Sequence, residues 1–83
     1  MKLVFRGRSA IELQRLPKKE ARFVLKKLVY YLNSDSPLTF AERLTDYQYG
    51  DYRFRIGYYR VTFDVEGDKI VVLKVGHRKD VYR

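Results

Sequence analysis

The sequence predicts an α+β domain: an N-terminal strand, then a helical hairpin packed on one face of a small, largely antiparallel β-sheet. Three observations predict it. Apolar residues recur every three to four positions only between residues 10 and 32. From Asp51 onward the apolar period changes to two. Two short glycine-containing turns then divide that stretch into three strands.

The elements follow in chain order. Lys2 to Arg6 sets Leu3 and Phe5 against charged neighbours, the alternation of a short strand. Ala10, Leu13 and Leu16 are spaced by three, which predicts a short helix over Arg8 to Leu16. Pro17 ends it and suits the first turn of the next helix. There Ala21, Val24, Leu25, Leu28 and Leu32 form one apolar stripe, with Lys18, Lys19, Arg22, Lys26 and Lys27 mostly off it. Tyr30 and Tyr31 end this helix, and at least one must leave the stripe. Asn33-Ser34-Asp35-Ser36-Pro37 stops the helix. Residues 37–50 carry no readable period, although Phe40 and Leu44 could anchor them to the core. Tyr52, Phe54 and Ile56 alternate with Arg53 and Arg55. Tyr59, Val61, Phe63 and Val65 alternate with Arg60, Thr62 and Asp64. Lys69 to Val75 is apolar on both faces in part, which suits a central strand.

Length and composition bound the function. The 83 residues allow one domain, 1–83. No cysteine means no disulfide scaffold and no thiolate metal site, and a single histidine excludes an all-histidine cage. No apolar run approaches the roughly 20 residues of a membrane span, and the N-terminus lacks a signal peptide's apolar stretch, so a cytoplasmic location is expected. The net charge is +8. Residues 1–50 carry 10 basic and 5 acidic side chains, and residues 51–83 carry 8 and 5, so any cationic patch must arise from folding. A polyanion is the natural partner of such an excess.

Strand register indicates where that patch forms. A two-residue turn at Gly57-Tyr58, of type II′, places Arg55 opposite Arg60. A two-residue turn at Gly67-Asp68 would send Lys74 to the buried face of Val61 and Phe63. Burying an unpaired lysine is costly. A three-residue turn, Glu66 to Asp68, is therefore expected, with Val71, Leu73 and Val75 on the buried face. Arg60 then faces Lys74, giving a row Arg55–Arg60–Lys74 with Arg53 one step along. Like charges directly opposite one another destabilise a sheet, so the row calls for a bound anion.

The segment Gly50-Asp51-Tyr52-Arg53-Phe54-Arg55-Ile56-Gly57-Tyr58-Tyr59-Arg60-Val61 resembles the hairpin "x-Y-K/R-x-K/R-x-G-x-Y-R" of the RelE/ParE superfamily of toxins. Lys74-Val75-Gly76-His77-Arg78-Lys79-Asp80-Val81-Tyr82 resembles its closing "V-G-x-R-x-x-x-Y". The upstream order, a strand and a helical hairpin with "L-P" at the joint, is similar too. The resemblance implies a RelE-type, ribosome-dependent endoribonuclease that cuts messenger RNA in the ribosomal A site. It implies attack of a 2′-hydroxyl to leave a 2′,3′-cyclic phosphate, without metal or cofactor. It also implies a RelB-like antitoxin as partner. Arg60 matches the arginine of "G-Y-R", Arg78 that of "V-G-x-R", and Tyr82 the terminal tyrosine. Arg53 and Arg55 stand where relatives often carry lysines.

Such a reaction needs a proton acceptor, cations on the phosphate and a donor to the leaving 5′-oxygen. Arg55, Arg60 and Arg78 suit the cation role, since guanidinium grips phosphate bidentately. Arg53 and Arg55 cannot accept a proton. His77 and Tyr82 are the candidates for proton transfer, although strand alternation puts His77 on the side of Val75. Arg53, Lys74, Lys79 and Tyr58 are candidates for holding RNA, Tyr58 by stacking on a base. Tyr59 is expected in the core. Two other functions fit the same fold: inhibition of DNA gyrase by a ParE-like toxin, and RNA binding without catalysis.

Overall fold

A computed structural model of the chain describes residues 1–45 and 50–81. Tyr82, the expected terminal tyrosine, lies outside the described residues. The element order is β1 (Lys2–Phe5), α1 (Ser9–Arg15), α2 (Lys18–Leu32), a 3₁₀ turn (Pro37–Phe40), β2 (Ala41–Arg43), β3 (Tyr52–Ile56), β4 (Tyr59–Glu66) and β5 (Lys69–His77). The strands form one sheet in the order β1-β5-β4-β3-β2, in which only β1, laid along β5, is parallel to its neighbour. No helix among the described residues is long and apolar enough to cross a membrane.

Both hairpins turn on Gly-X pairs. Gly57 and Gly67 have φ near +60°, while Tyr58 and Asp68 keep negative φ, the signature of type II′ turns. Ile56 therefore pairs with Tyr59, and Arg55 stands opposite Arg60 as expected. The second hairpin corrects the expected three-residue turn: Glu66 pairs with Lys69 across a two-residue turn. The buried-lysine objection is met by a β-bulge. Phe63 pairs with Val72 but Thr62 pairs with Lys74, so Leu73 is the extra residue. That one-residue slip exchanges the faces of β5 midway. Ile70, Val72 and Val75 thus join the core, and Lys74 stays off it. Val71 and Leu73, expected on the helix side, belong elsewhere: Val71 pairs with Asp64 on the opposite face, and Leu73 is the bulge residue. Arg60 faces Gly76, and Lys74 faces Thr62, so the expected Arg60–Lys74 pairing does not form.

The core sits between the sheet and α2. Val24, Leu28 and Leu32 are buried against Phe54, Ile56, Val61, Phe63, Ile70, Val72 and Val75. Leu25, assigned to the stripe by spacing, is 41% exposed, because the buried stripe follows Val24, Leu28 and Leu32 at i, i+4, i+8. Tyr30 leaves the stripe, and Tyr31 stays on it, half-buried. Tyr59 is half-buried and packs against the core. Phe40 anchors the unreadable segment by stacking on Tyr31 at 4.6 Å, and Tyr31 in turn lies 4.8 Å from Phe54.

Helix α1 closes the edge that β1 leaves open. Beyond Val72, β5 has no strand on that side, and α1 supplies side chains instead. Ser9 Oγ donates to Val72 O at 2.9 Å, and Glu12 Oε1 accepts the Val75 N–H at 3.0 Å. Val72 O, which already accepts the Arg6 N–H, thereby gains a second donor, and the Val75 N–H, which β1 does not reach, is paired.

Candidate phosphate-binding and catalytic site

The sheet face away from the helices carries the cations. Pairing sets Arg55, Arg60 and Gly76 in one row across β3, β4 and β5, and Glu42, Arg53, Thr62 and Lys74 in the next, starting from β2. Glu42 enters this face because β2 pairs Glu42 with Arg53. Its Oε2 accepts from Arg53 Nη2 at 2.9 Å, and its Oε1 lies 3.4 Å from Arg55 Nε. The Arg53 hydrogen bond is the main reason the Glu42 carboxyl is held below the usual carboxylate range. The charges of Arg53, Arg55 and Arg60 add to it, against partial burial.

Arg60 is the fixed member. It is only 6% exposed, and its Nη1 donates to Gly57 O at 2.9 Å and to Tyr59 O at 2.8 Å. The guanidinium thereby ties the hairpin turn to the strand that follows. Burial lowers its pKa first, and the charges of Arg55, Arg53 and Arg78 lower it further. Those couplings bring four guanidinium groups from three parts of the chain into one field. Arg60 remains charged all the same, since guanidinium does not deprotonate in proteins.

Arg78 reaches the group through the hairpin tip. Its N–H donates to Tyr58 O at 2.7 Å, and its guanidinium lies 5.2 Å from the centre of the Tyr58 ring. No carboxylate pairs with Arg78 among the described residues. The His77 ring stacks on Tyr58 at 6.1 Å and meets Tyr59 edge-on at 5.9 Å. His77 Nδ1 accepts the Lys79 N–H at 3.2 Å, which leaves Nε2 to carry the proton of a neutral ring. After His77 the chain turns back, with Asp80 N–H and Val81 N–H donating to His77 O. Val81 is buried over Gly76, where a Cβ would come within 3.0 Å of its Cγ2. Gly76 faces the cation side, so the C-terminal turn folds onto the same side as Arg60.

The proteins similar to this chain include toxins of known structure. No family model matches the chain. A segment of 31 residues is 48% identical to Toxin RelE3 of Methanocaldococcus jannaschii; it covers 37% of this chain and spans only 35% of that protein's length. Over 95% of its length the chain is similar to a chain of the toxin–antitoxin complex RelBE2 of Mycobacterium tuberculosis, with a TM-score of 0.79 and 26% identity, covering 92% of that chain. It is also similar to a chain of the RelB–RelE antitoxin–toxin complex of Methanococcus jannaschii, with a TM-score of 0.71 and 28% identity, over 95% of this chain and 94% of that one.

The chain has the fold of RelE-type toxins and is similar to them in sequence.

On this RelE-like fold the expected site residues divide by position. Arg53, Arg55, Arg60 and Lys74 share the sheet face, and Arg78 joins them electrostatically from the turn after β5. Tyr58, 64% exposed, stands at the tip against Arg78 and His77. His77 pairs with Tyr59 at the end of β5 and is half-buried, with its ring between two tyrosines. Lys79 is exposed in the C-terminal turn, and its N–H holds His77.

Sequence reasoning missed Glu42. Phe40-Ala41-Glu42-Arg43-Leu44 does not alternate at the period of a strand, so its pattern gives no signal for β2. Three residues of strand are too short to read with confidence from alternation alone, and the pairing with β3 supplies what alternation lacks. Thr62 was passed over as well. It lies fully buried between Arg53 and Lys74 in register, and its hydroxyl has no hydrogen-bond partner among the described residues.

Proposed function

We propose that this chain is the toxin of a type II toxin–antitoxin system and that it cuts messenger RNA in the ribosomal A site. One observation carries the reading: Arg53, Arg55 and Arg60 surround one ionised carboxylate, Glu42, and the charge of Arg78 acts on Arg60 beside them. Inhibition of gyrase has no need of phosphate-gripping arginines on the sheet, and bare RNA binding has no need of a carboxylate among them.

The residues divide the work as follows. RNA displaces the Glu42 carboxylate from Arg53 and Arg55, whose guanidinium groups take the scissile phosphate bidentately. Glu42 then accepts the proton of the adjacent 2′-hydroxyl. The 2′-oxygen bonds to phosphorus, and the bond to the 5′-oxygen breaks, leaving a 2′,3′-cyclic phosphate. Arg60, held by two carbonyls, and Arg78 stabilise the extra negative charge on the phosphorane. A proton reaches the 5′-oxygen from His77 Nε2 or from Tyr82. Tyr58 stacks on a base and keeps the nucleotide in line. The ribosome presents the messenger, and a RelB-like antitoxin neutralises the toxin between uses.

Messenger incubated with the protein in a translation extract tests this. Primer extension should show in-frame cuts that require ribosomes and disappear with Arg78→Ala. Gyrase-dependent double-strand breaks without RNA cuts would replace the reading with the ParE-like one. Binding of RNA with neither outcome would leave a non-catalytic module.

A further inference from the structure

Thr62 is a buried hydroxyl in the middle of the cation face. It is 0% exposed, and its Oγ1 has no hydrogen-bond partner among the described residues. A buried hydroxyl without a partner destabilises a fold, because its desolvation goes uncompensated. Valine is also β-branched, suits a strand equally well and carries no polar atom. Packing alone therefore favours valine here, as at Val61 beside it. The hydroxyl calls for a partner that arrives only in another state of the site.

The register shows which partner is within reach. Glu42, Arg53, Thr62 and Lys74 form one row across β2, β3, β4 and β5, so Arg53 stands between Glu42 and Thr62. Residues directly opposite one another bring their Cβ atoms to about 4.5–5.5 Å. The Arg53 guanidinium lies on the Glu42 side, where Nη2 donates to Oε2 at 2.9 Å. Thr62 offers an acceptor on the other side. The bulge in β5 keeps an apolar side chain from closing over that acceptor. In an uninterrupted ladder Leu73 would stand opposite Thr62, and the bulge sets Lys74 there instead. A guanidinium has five N–H donors in a fixed fork. It can grip a phosphate with two of them and still give another to a hydroxyl.

We propose that Thr62 is a positioning residue for the RNA-bound site: its hydroxyl accepts a hydrogen bond from Arg53 once a phosphate has drawn Arg53 off Glu42. The role rests on the RNA-cleavage reading above. It keeps Arg53 aimed at the phosphate while Glu42 is released to take a proton. Without the hydroxyl, Arg53 is drawn back to Glu42, and the seat loses a phosphate contact.

Two variants test this. Thr62→Val keeps the shape and removes the hydroxyl, whereas Thr62→Ser keeps the hydroxyl and removes a methyl group. Each is followed by thermal melting, by anisotropy of a short single-stranded RNA over a range of salt, and by single-turnover cleavage on ribosomes. Thr62→Val should raise the melting temperature by about 4–8 °C. It should flatten the log–log salt slope by about 0.7, the share of one phosphate contact. Its cleavage rate should fall by about 10- to 100-fold, the worth of a hydrogen bond to a charged group. Thr62→Ser should melt lower and keep the slope and rate of the unaltered protein. Arg53→Ala should flatten the slope by the same amount as Thr62→Val, and the double variant no further. A slope that Thr62→Val leaves unchanged would overturn the proposal. So would additive effects of Thr62→Val and Arg53→Ala, or the reverse order of variants, with Thr62→Ser impaired and Thr62→Val intact, which marks a packing residue. Absence of ribosome-dependent cuts by the unaltered protein, with the slopes changing as expected, would count against the cleavage reading alone. Cuts that Thr62→Val leaves unchanged would count against this role alone.

Discussion

Glu42 draws its chemistry from its neighbours. Ringed by guanidinium groups, it is ionised well below neutral pH and is a weak base. A phosphate entering the seat would cancel part of the field that depresses it, and its basicity would rise when a proton must be accepted. The sign of the pH dependence follows. A carboxylate with a lowered folded pKa contributes stability above its unfolded pKa and loses it as pH falls through the folded one. Activity should decline on the same acid side, as Glu42 takes up a proton. Glu42→Gln should lower the single-turnover cleavage rate by about 10² to 10⁴, the usual reach of general-base catalysis, and remove the acid limb of the pH–rate profile. A rate unchanged by Glu42→Gln would return the proton acceptor to His77 or Tyr82. The two other arginine variants separate by position. Arg60 satisfies Gly57 O and Tyr59 O, so Arg60→Ala should cost about 1–3 kcal/mol of stability as well as activity. Arg78 is exposed, and its side chain lies over the Tyr58 ring, so Arg78→Ala should abolish cleavage with the melting temperature nearly unchanged. Thermal melts beside cleavage assays distinguish the two.

At the scale of elements, the strands were legible where side chains alternate without interruption. Tyr52 to Ile56 and Tyr59 to Val65 read directly, and the Gly57-Tyr58 turn fixed the Arg55–Arg60 pairing from the chain alone. β5 was not legible to the same depth. A bulge adds one residue without a sequence mark of its own, and Leu73 looks like any other apolar strand residue. Reasoning from an uninterrupted ladder forces a choice between a buried Lys74 and a longer turn, and the chain takes neither. β2 was hidden for another reason: its three residues are strand because β3 lies beside them, not because of their own pattern. Half of the candidate site was thus visible, the arginines on long strands, and half was not, the carboxylate on a short one. The α1 contact with β5 gives an element-scale prediction. Glu12 accepts the Val75 N–H that no strand reaches, so Glu12→Ala should leave that donor unpaired and cost about 1–3 kcal/mol. The amide of Val75 should then exchange with solvent faster than those of Ile70 and Val72.

The molecule as a whole divides its labour between the two sides of one sheet. The helix side buries the aromatic and branched residues that hold the fold, with Phe54 and Phe63 stacked at 4.4 Å in its centre. The other side spends stability on concentrating like charge, with Glu42 as the internal counter-ion of Arg53 and Arg55. Opposed arginines at Arg55 and Arg60 are tolerable because one is pinned to backbone and the other reaches solvent. An anion that replaces Glu42 should relieve the remaining strain, and the binding of RNA should therefore be dominated by phosphate contacts. For a single strand, affinity falls with a log–log salt slope of about −0.7 per phosphate contact. Four contacts, from Arg53, Arg55, Arg60 and Arg78, give a slope of roughly −3, or about a 50-fold loss between 50 and 200 mM salt. Removing Arg55 or Arg78 should flatten the slope by about 0.7 each, while Phe23→Ser on the helix side should leave it unchanged. Anisotropy titrations of a short RNA over that salt range measure all three. A slope near zero, or one that responds to Phe23 and not to Arg78, would move the RNA seat off this face of the sheet.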